Sequence, residues 1–167
     1  MSRAFVKEQD GDSETGEILD LPQSAHPNYT TPRGLARLKE RLAQAQEKRQ
    51  ALLAAPGGVE RDLPLANVAR EIRYLEARIE RAIPIDPAGQ PHGEVAFGAT
   101  VGVADPTGRE REFAIVGEDE ADAEHGSVSW VSPLARALLG SQVGDQIVWH
   151  RPAGDVELTI RSIRYDA

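Results

Sequence analysis

The chain has 167 residues, a length that suits one domain of ordinary size or two small ones. Its hydrophobic fraction of 40% and charged fraction of 28% are typical of a folded globular protein and exclude a fully disordered one. It contains no cysteine, which excludes a disulfide scaffold, a zinc site with thiolate ligands and a cysteine nucleophile. The sequence has neither a transmembrane run nor a signal-peptide core, so we expect a cytoplasmic protein.

The formal charge of −8 is distributed unevenly along the chain. Residues 1–30 carry a net charge of −4, residues 31–82 carry +4 and residues 83–167 carry −8. The acidic total argues against a protein that coats nucleic acid, whereas a basic segment between acidic ones indicates separate surfaces with separate tasks. Residues 1–28 combine glycine, proline and many acids without periodicity, and we expect them to form a disordered acidic tail.

A helical hairpin is predicted over residues 29–83. Thr31 and Pro32 form a typical helix start, as N-cap and first helical residue, and Pro56-Gly57-Gly58 ends this helix. Two apolar runs repeat at spacings of three and four: Leu35, Leu38, Leu42, Ala45 and Leu52, interrupted by Arg49, and then Leu65, Val68, Ile72, Leu75, Ile79 and Ala82. Such helices, joined by about ten polar or turn residues, should form an antiparallel coiled coil. The pattern alone leaves open whether this long, narrow hairpin, or finger, mediates dimerisation or inserts into a partner protein.

After a linker over residues 84–92, residues 93–167 show the pattern of short strands around one short helix. Strands are predicted at 95–103, 109–116, 127–131, 146–150 and 156–165. The helix has Ser132 as N-cap, Pro133 as its first residue and Gly140 as its end. Together the elements predict an α+β fold, with an N-terminal antiparallel coiled-coil hairpin and a C-terminal antiparallel sheet domain that carries one short helix.

Five motifs of the C-terminal segment occur in a characteristic order and spacing. They are Phe97-Gly98-Ala99-Thr100-Val101, Ile115-Val116-Gly117, the helix from Ser132 to Gly140, Val143-Gly144-Asp145 and Pro152-Ala153-Gly154. In this order they resemble the C-terminal domain of the GreA/GreB family of bacterial transcription elongation factors. The Thr-Pro-Arg-Gly start and the hairpin agree with the family's N-terminal half, so the resemblance covers residues 29–167. It implies an FKBP-like C-terminal domain, RNA polymerase core as partner, and a finger that enters the secondary channel toward the catalytic Mg²⁺.

The resemblance makes the hairpin tip the candidate catalytic site. Cleavage factors of the family carry Gly-Asp-x-x-Glu-Asn-Ala there, and two carboxylates help to hold a second Mg²⁺ and position water for hydrolysis of backtracked RNA by the polymerase. In this chain Asp62 matches the motif's aspartate, but Ala66 replaces its glutamate and one residue is inserted. Glu60 and Asp62 remain as candidate catalytic carboxylates. Alternatively, they are solvated acids that complement the N-terminus of the second helix.

The altered tip and a hairpin about two turns (~11 Å) shorter per arm than the family's predict weak or no stimulation of transcript cleavage. The alternative is an active cleavage factor that rescues backtracked complexes through Glu60 and Asp62. The fold type alone would also suggest a prolyl isomerase or chaperone, but the few aromatic residues show no evident proline pocket.

Further expectations follow from the resemblance and from the remaining residues. Ser132, Pro133 and Arg136 are candidate polymerase contacts, because the family uses the loop entering this helix; Ser132 could equally be only an N-cap. The acidic loop over 117–125 lacks an ion-binding pattern, and the histidines lack ligand spacing, so we expect a solvated loop and no metal of the protein's own. Mg²⁺ would be shared with the polymerase active site. We expect a monomer with indirect contact to nascent RNA and DNA, and no membrane partner.

Overall fold

The computed structural model describes residues 19–166 of the chain. The elements are β1 (Asn28–Thr30), α1 (Pro32–Ala54), α2 (Val59–Glu80), β2 (Ala82–Pro84), β3 (Thr100–Ala104), β4 (Glu110–Val116), β5 (Ser127–Ser129), α3 (Pro133–Leu138), β6 (Gln146–Trp149) and β7 (Val156–Arg164). Short 3₁₀ turns lie at Pro87–Gly89, Glu118–Glu120 and Ala123–His125. The predicted fold class is confirmed, since a helical hairpin precedes a sheet domain with one short helix. Within this part of the chain no helix is long and apolar enough to cross a bilayer.

The helix boundaries follow local chemistry. Thr31 caps α1, since its hydroxyl accepts a hydrogen bond from the Gly34 N–H at 3.0 Å, and Pro32 begins the helix as predicted. The turn between the helices has only four residues, 55–58, and is shorter than expected. The difference arises because Pro64 lies inside α2. Near the helix start it removes one intrahelical hydrogen bond, which the helix tolerates, whereas the prediction placed Pro64 in the loop.

The two helices pack antiparallel along the predicted apolar seam. Leu38, Ala45, Val68, Ile72 and Leu75 form one buried cluster, with Leu42, Leu52, Leu65 and Ile79 packed around it. Arg49, the polar position in the seam, is exposed to solvent. At about 1.5 Å per residue, the 23 residues of α1 span about 35 Å.

Two short strands that the sequence did not predict lie at the base of the hairpin. β1 runs parallel to β2, with Asn28 opposite Ala82 and Thr30 opposite Pro84. They carry little sequence signal, because each has only three residues and one of them contains proline.

The chain before β1 also contacts the hairpin. Of the predicted acidic tail, residues 1–18 lie outside the described residues. In the rest, the Asp20 carboxylate lies 2.6 Å from Nη2 of Arg73, and Gln23 donates to the Tyr74 carbonyl at 3.4 Å. Residues 19–27 form no helix or strand, but Asp20 and Gln23 contact α2 through these two interactions.

The sheet domain has the strand order β5-β4-β3-β7-β6. β3 pairs antiparallel with β4 and β7, and β6 pairs antiparallel with β7, whereas β5 lies parallel to β4. This one pair differs from the predicted antiparallel sheet, because the loop over 117–126 crosses back instead of making a tight hairpin. The buried core is formed by residues of the sheet, of α3 and of the segment before β3: Val95, Ala99, Val101, Val103, Phe113, Ile115, Leu134, Ala135, Leu138, Leu158 and Ile160.

Candidate functional site

The tip of the hairpin consists of the last turn of α1, the four-residue turn and the first turn of α2. Glu60 and Asp62 both lie in that first turn and are exposed. Because they are two residues apart on a helix, their side chains leave the axis about 200° apart and do not face each other. The Asp62 carboxylate also accepts hydrogen bonds from Nε and Nη2 of Arg61, at 3.1 and 3.0 Å. The tip therefore holds two carboxylates that point to different sides of the helix.

This arrangement does not fit a magnesium site built by the tip itself. Mg²⁺ requires oxygen ligands that converge in near-octahedral geometry, and these carboxylates do not converge. Within residues 19–166, no group of three or more histidine, aspartate or glutamate side chains is placed to hold a metal. Both acids do lie beside the positive N-terminal end of α2, where a negative charge stabilises a helix.

Sequence reasoning missed that the tip is also apolar. Val59, Leu63 and Leu53 are 86%, 57% and 52% exposed, respectively, and all three lie on the turns that flank residues 55–58. Exposed apolar side chains that cluster in this way are a common feature of contact surfaces. Their signal in the sequence is that they lie outside the heptad seam and yet are not polar.

The candidate polymerase contacts, Ser132, Pro133 and Arg136, lie at the start of α3. The Ser132 hydroxyl accepts a hydrogen bond from the Ala135 N–H at 3.2 Å, so it acts as the predicted N-cap. Pro133 and Arg136 are both exposed and lie three residues apart, so they are neighbours on the helix surface. Trp130, just before this turn, packs edge-on against Tyr29 of β1, with ring centroids 4.9 Å apart. The loop that enters α3 is thus in contact with the base of the hairpin.

The acidic loop after β4 is only partly solvated: residues 121–125 are exposed, as the sequence suggested, whereas residues 117–120 pack against the base of the hairpin. Asp119 accepts hydrogen bonds from Nε of Arg78 at 2.6 Å and from the Tyr74 hydroxyl at 2.8 Å. Arg78 is only 1% exposed, and it also donates to the side-chain carbonyl of Asn28 at 2.5 Å. Burial, followed by the hydrogen bond to Asp119, raises the pKa of Tyr74 above its ordinary value. A buried guanidinium needs a negative partner, and this requirement places the loop against α2.

The next acid of the loop binds the start of α1. The Glu120 carboxylate accepts hydrogen bonds from the backbone N–H groups of Thr31 at 3.0 Å and Gly117 at 3.1 Å, and also from the Thr31 hydroxyl. A Cβ at Gly34 would lie 2.1 Å from the carboxyl carbon of Glu120. The glycine of the Thr-Pro-Arg-Gly start therefore makes room for this carboxylate. Two acids of one loop thus fix the base of the hairpin against the sheet domain.

Comparison with known proteins gives a consistent result. Residues 90–165 match the family model described as the C-terminal region of the transcription elongation factors GreA/GreB. The transcription elongation factor GreB of Neisseria meningitidis serogroup B is 36% identical over 153 residues, which cover 83% of this chain and 94% of that protein. GreA of Thermodesulfovibrio yellowstonii is 36% identical over 151 residues, covering 81% of this chain and 96% of that protein. A solved GreA/GreB structure from Nitrosomonas europaea is 26% identical with a TM-score of 0.41, covering 82% of this chain and 98% of that one.

Proposed function

The chain belongs to the GreA/GreB family of transcription elongation factors, and on this premise we propose that it regulates elongation by binding RNA polymerase core and inserting its helical hairpin into the secondary channel. We propose further that it stimulates transcript cleavage weakly or not at all. The observation that supports insertion is the shape of the hairpin. It is about 35 Å long, it is fixed at its base by Arg78 and Glu120, and its tip is exposed.

The geometry of the tip supports weak cleavage. Glu60 and Asp62 point to different sides of α2, and Asp62 is bound by Arg61. The tip would therefore turn only one of its two carboxylates toward the polymerase active site, together with the apolar side chains of Val59 and Leu63. Such a tip would occupy space near the polymerase active site without supplying a pair of metal ligands.

Related properties are proposed on the same premise. The protein would act in the cytoplasm as a monomer, with no membrane partner and with Ser132, Pro133 and Arg136 contacting the polymerase at the rim of the channel. Any Mg²⁺ would be the polymerase's own. The net charge of +4 on residues 31–82 supports indirect contact with nascent RNA and DNA in the elongation complex.

The decisive experiment uses a backtracked elongation complex with 5′-labelled RNA and Mg²⁺. We expect the purified protein to cause little RNA shortening beyond a no-factor control, and to reduce the shortening caused by a known cleavage factor added in competition. A protein that neither shortens the RNA nor competes would contradict the proposed function.

Active cleavage through the tip acids is the second candidate, since Glu60 is exposed and free to turn toward a metal. It predicts rapid shortening that is lost in the Glu60→Ala/Asp62→Ala variant. The matched control is Glu47→Ala/Glu76→Ala, which removes two exposed acids from the body of the hairpin and should leave shortening unchanged. Rapid shortening with this dependence would replace the weak-cleavage proposal.

A further inference from the structure

A cavity of about 190 Å³ lies in the sheet domain, between the turn that joins β3 to β4 and the turn that joins β6 to β7. Its floor is formed by core side chains, and its wall by the rings of Phe113 and Trp149, whose centroids are 6.0 Å apart. None of the candidate site residues, neither those at the hairpin tip nor those at the start of α3, lines this cavity. Phe113 and Trp149 are distant in the chain and lie on strands that do not pair with each other, so only the folded sheet brings their rings together.

Three arginines surround this cavity: Arg109, Arg111 and Arg151. Residues 83–167 carry six basic side chains in a segment of net charge −8, so half of these cations line one cavity. The guanidinium carbon of Arg111 lies 4.8 Å from the centroid of the Phe113 ring, and that of Arg151 lies 5.3 Å from the Trp149 ring. A guanidinium that stacks on an aromatic ring keeps its N–H groups available to a carboxylate or phosphate.

The one acid that lines the cavity, Asp105, offsets only part of the charge of the three arginines. The Asp105 carboxylate is occupied by its own turn, where it accepts hydrogen bonds from the backbone N–H groups of Thr107 at 2.9 Å and Arg109 at 3.0 Å and from the Thr107 hydroxyl at 2.6 Å. The cavity therefore combines an apolar floor with a net positive rim.

Size and stacking decide which anionic partner fits. Pockets for whole small molecules usually enclose about 300–1,000 Å³, whereas an apolar cavity of ~150 Å³ holds a single benzene ring. The cavity thus accommodates one large side chain rather than a nucleotide. Single-stranded nucleic acid binds by stacking bases on free aromatic faces, but guanidinium groups already cover faces of both Phe113 and Trp149.

We propose that this cavity is a docking site for an acidic segment of a partner protein, which inserts one aromatic side chain into the cavity, against its apolar floor and beside the contacting rings of Phe113 and Trp149, and places neighbouring carboxylates on the three arginines. Recognition of acidic motifs by arginine clusters is an established mode of peptide binding. The site is separate from the hairpin tip and the start of α3, so a segment bound there could be held while the hairpin is engaged elsewhere.

The test uses the full chain, labelled with ¹⁵N, and a heptapeptide with blocked ends, Asp-Glu-Asp-Phe-Asp-Glu-Asp. We expect titration to shift the indole signal of Trp149 and the amide signals of Phe113 and Leu158, with saturation below about 1 mM. The same peptide with alanine in place of phenylalanine should bind about tenfold more weakly, since the cavity would remain unfilled. Binding should weaken as the salt concentration rises.

Variants test whether the arginines around the cavity bind the peptide, rather than the overall charge of the protein. Arg111→Gln/Arg151→Gln should weaken peptide binding about tenfold or more, because charge-assisted hydrogen bonds are lost. Arg161→Gln is the matched control, because Arg161 is an exposed arginine of β7 that lies outside the cavity, and it should change the affinity less than about twofold. A thermal melt of each variant checks that the fold is retained.

Three outcomes would overturn the proposal. They are the absence of any shift at Trp149 at saturating peptide concentrations, equal affinity for the phenylalanine and alanine peptides, and tighter binding of a uridine oligonucleotide than of the acidic peptide at the same residues. The last outcome would assign the cavity to single-stranded nucleic acid. None of these readouts involves RNA polymerase, so the proposal stands or falls independently of the proposed function.

Discussion

Nε of Arg78 lies 2.6 Å from Oδ2 of Asp119, although the first residue belongs to the helical hairpin and the second to the loop after β4. The same guanidinium donates to Asn28, and the other carboxylate oxygen accepts from Tyr74. Three separate segments of the chain thus meet at one buried cation. Because hydrogen bonds of this kind have narrow geometry, the network sets the direction in which the hairpin leaves the sheet domain.

Loss of the Asp119 charge should destabilise the protein substantially. In Asp119→Asn the guanidinium of Arg78 stays buried without its main counter-charge, and removing one partner of a buried pair costs about 3 kcal/mol. Glu118, 3.8 Å from the guanidinium, offsets only part of this cost. The free energy of unfolding, measured with urea, should fall by about 2–3 kcal/mol.

Asp122→Asn is the matched control for this prediction, because Asp122 belongs to the same loop but is exposed. It should change the stability by less than about 0.5 kcal/mol. Equal stability of the two variants would show that the Arg78–Asp119 pair does not hold the base of the hairpin.

Gly34→Ala should be destabilising through its contact with Glu120. The added Cβ would displace the Glu120 carboxylate, which then loses its hydrogen bonds to the N–H groups of Thr31 and Gly117. We expect a loss of about 1–2 kcal/mol, and almost no further loss when Gly34→Ala is added to Glu120→Ala. Gly89→Ala is the control, because a Cβ there meets nothing within 4 Å. Additive effects of the two substitutions would argue against this explanation.

The phenol of Tyr74 should ionise above the ordinary value of 10.0. Its pKa is raised because burial and the hydrogen bond to Asp119 both favour the neutral form. The stability that this shift contributes is therefore fully present below the pKa of the unfolded state and is lost as the pH rises through the higher folded value. The difference between the ultraviolet titrations of the wild type and Tyr74→Phe isolates this phenol. A midpoint at or below 10.0 would contradict the buried hydrogen bond.

Polar substitution of the apolar tip should weaken polymerase binding without affecting the fold. Val59→Ser/Leu63→Ser removes two side chains that are largely exposed, so the thermal melt should not change. If the tip is buried in the channel, their loss should weaken competition with a cleavage factor about tenfold. The control, Glu47→Ala, alters an exposed side chain in the body of the hairpin. Undiminished competition by the tip variant would show that these apolar side chains make no contact with the polymerase.

Most of the helices and strands, and the family, could be predicted from the sequence alone, whereas the short strands β1 and β2 could not. Repeats of three and four predict the seam around Leu38, Ile72 and Leu75, because a helix returns to the same face at that spacing. The starts of α1 and α3 were also predicted, since Thr31 with Pro32 and Ser132 with Pro133 satisfy local backbone groups.

How the helices, strands and loops contact one another depends on residues far apart in the sequence. Arg78 and Asp119 are 41 residues apart, and Phe113 and Trp149 lie on strands separated by a helix, so no local period connects them. Sequence reasoning assigned Asp119 and Glu120 to a solvated loop because isolated acids prefer water. In the fold they are partly buried, because the guanidinium of Arg78 and the N–H groups at the start of α1 provide the hydrogen bonds that water would otherwise supply. Local spacing in the sequence thus determines which helices form, whereas the pairing of buried charged groups determines how the loop after β4 is positioned against the hairpin.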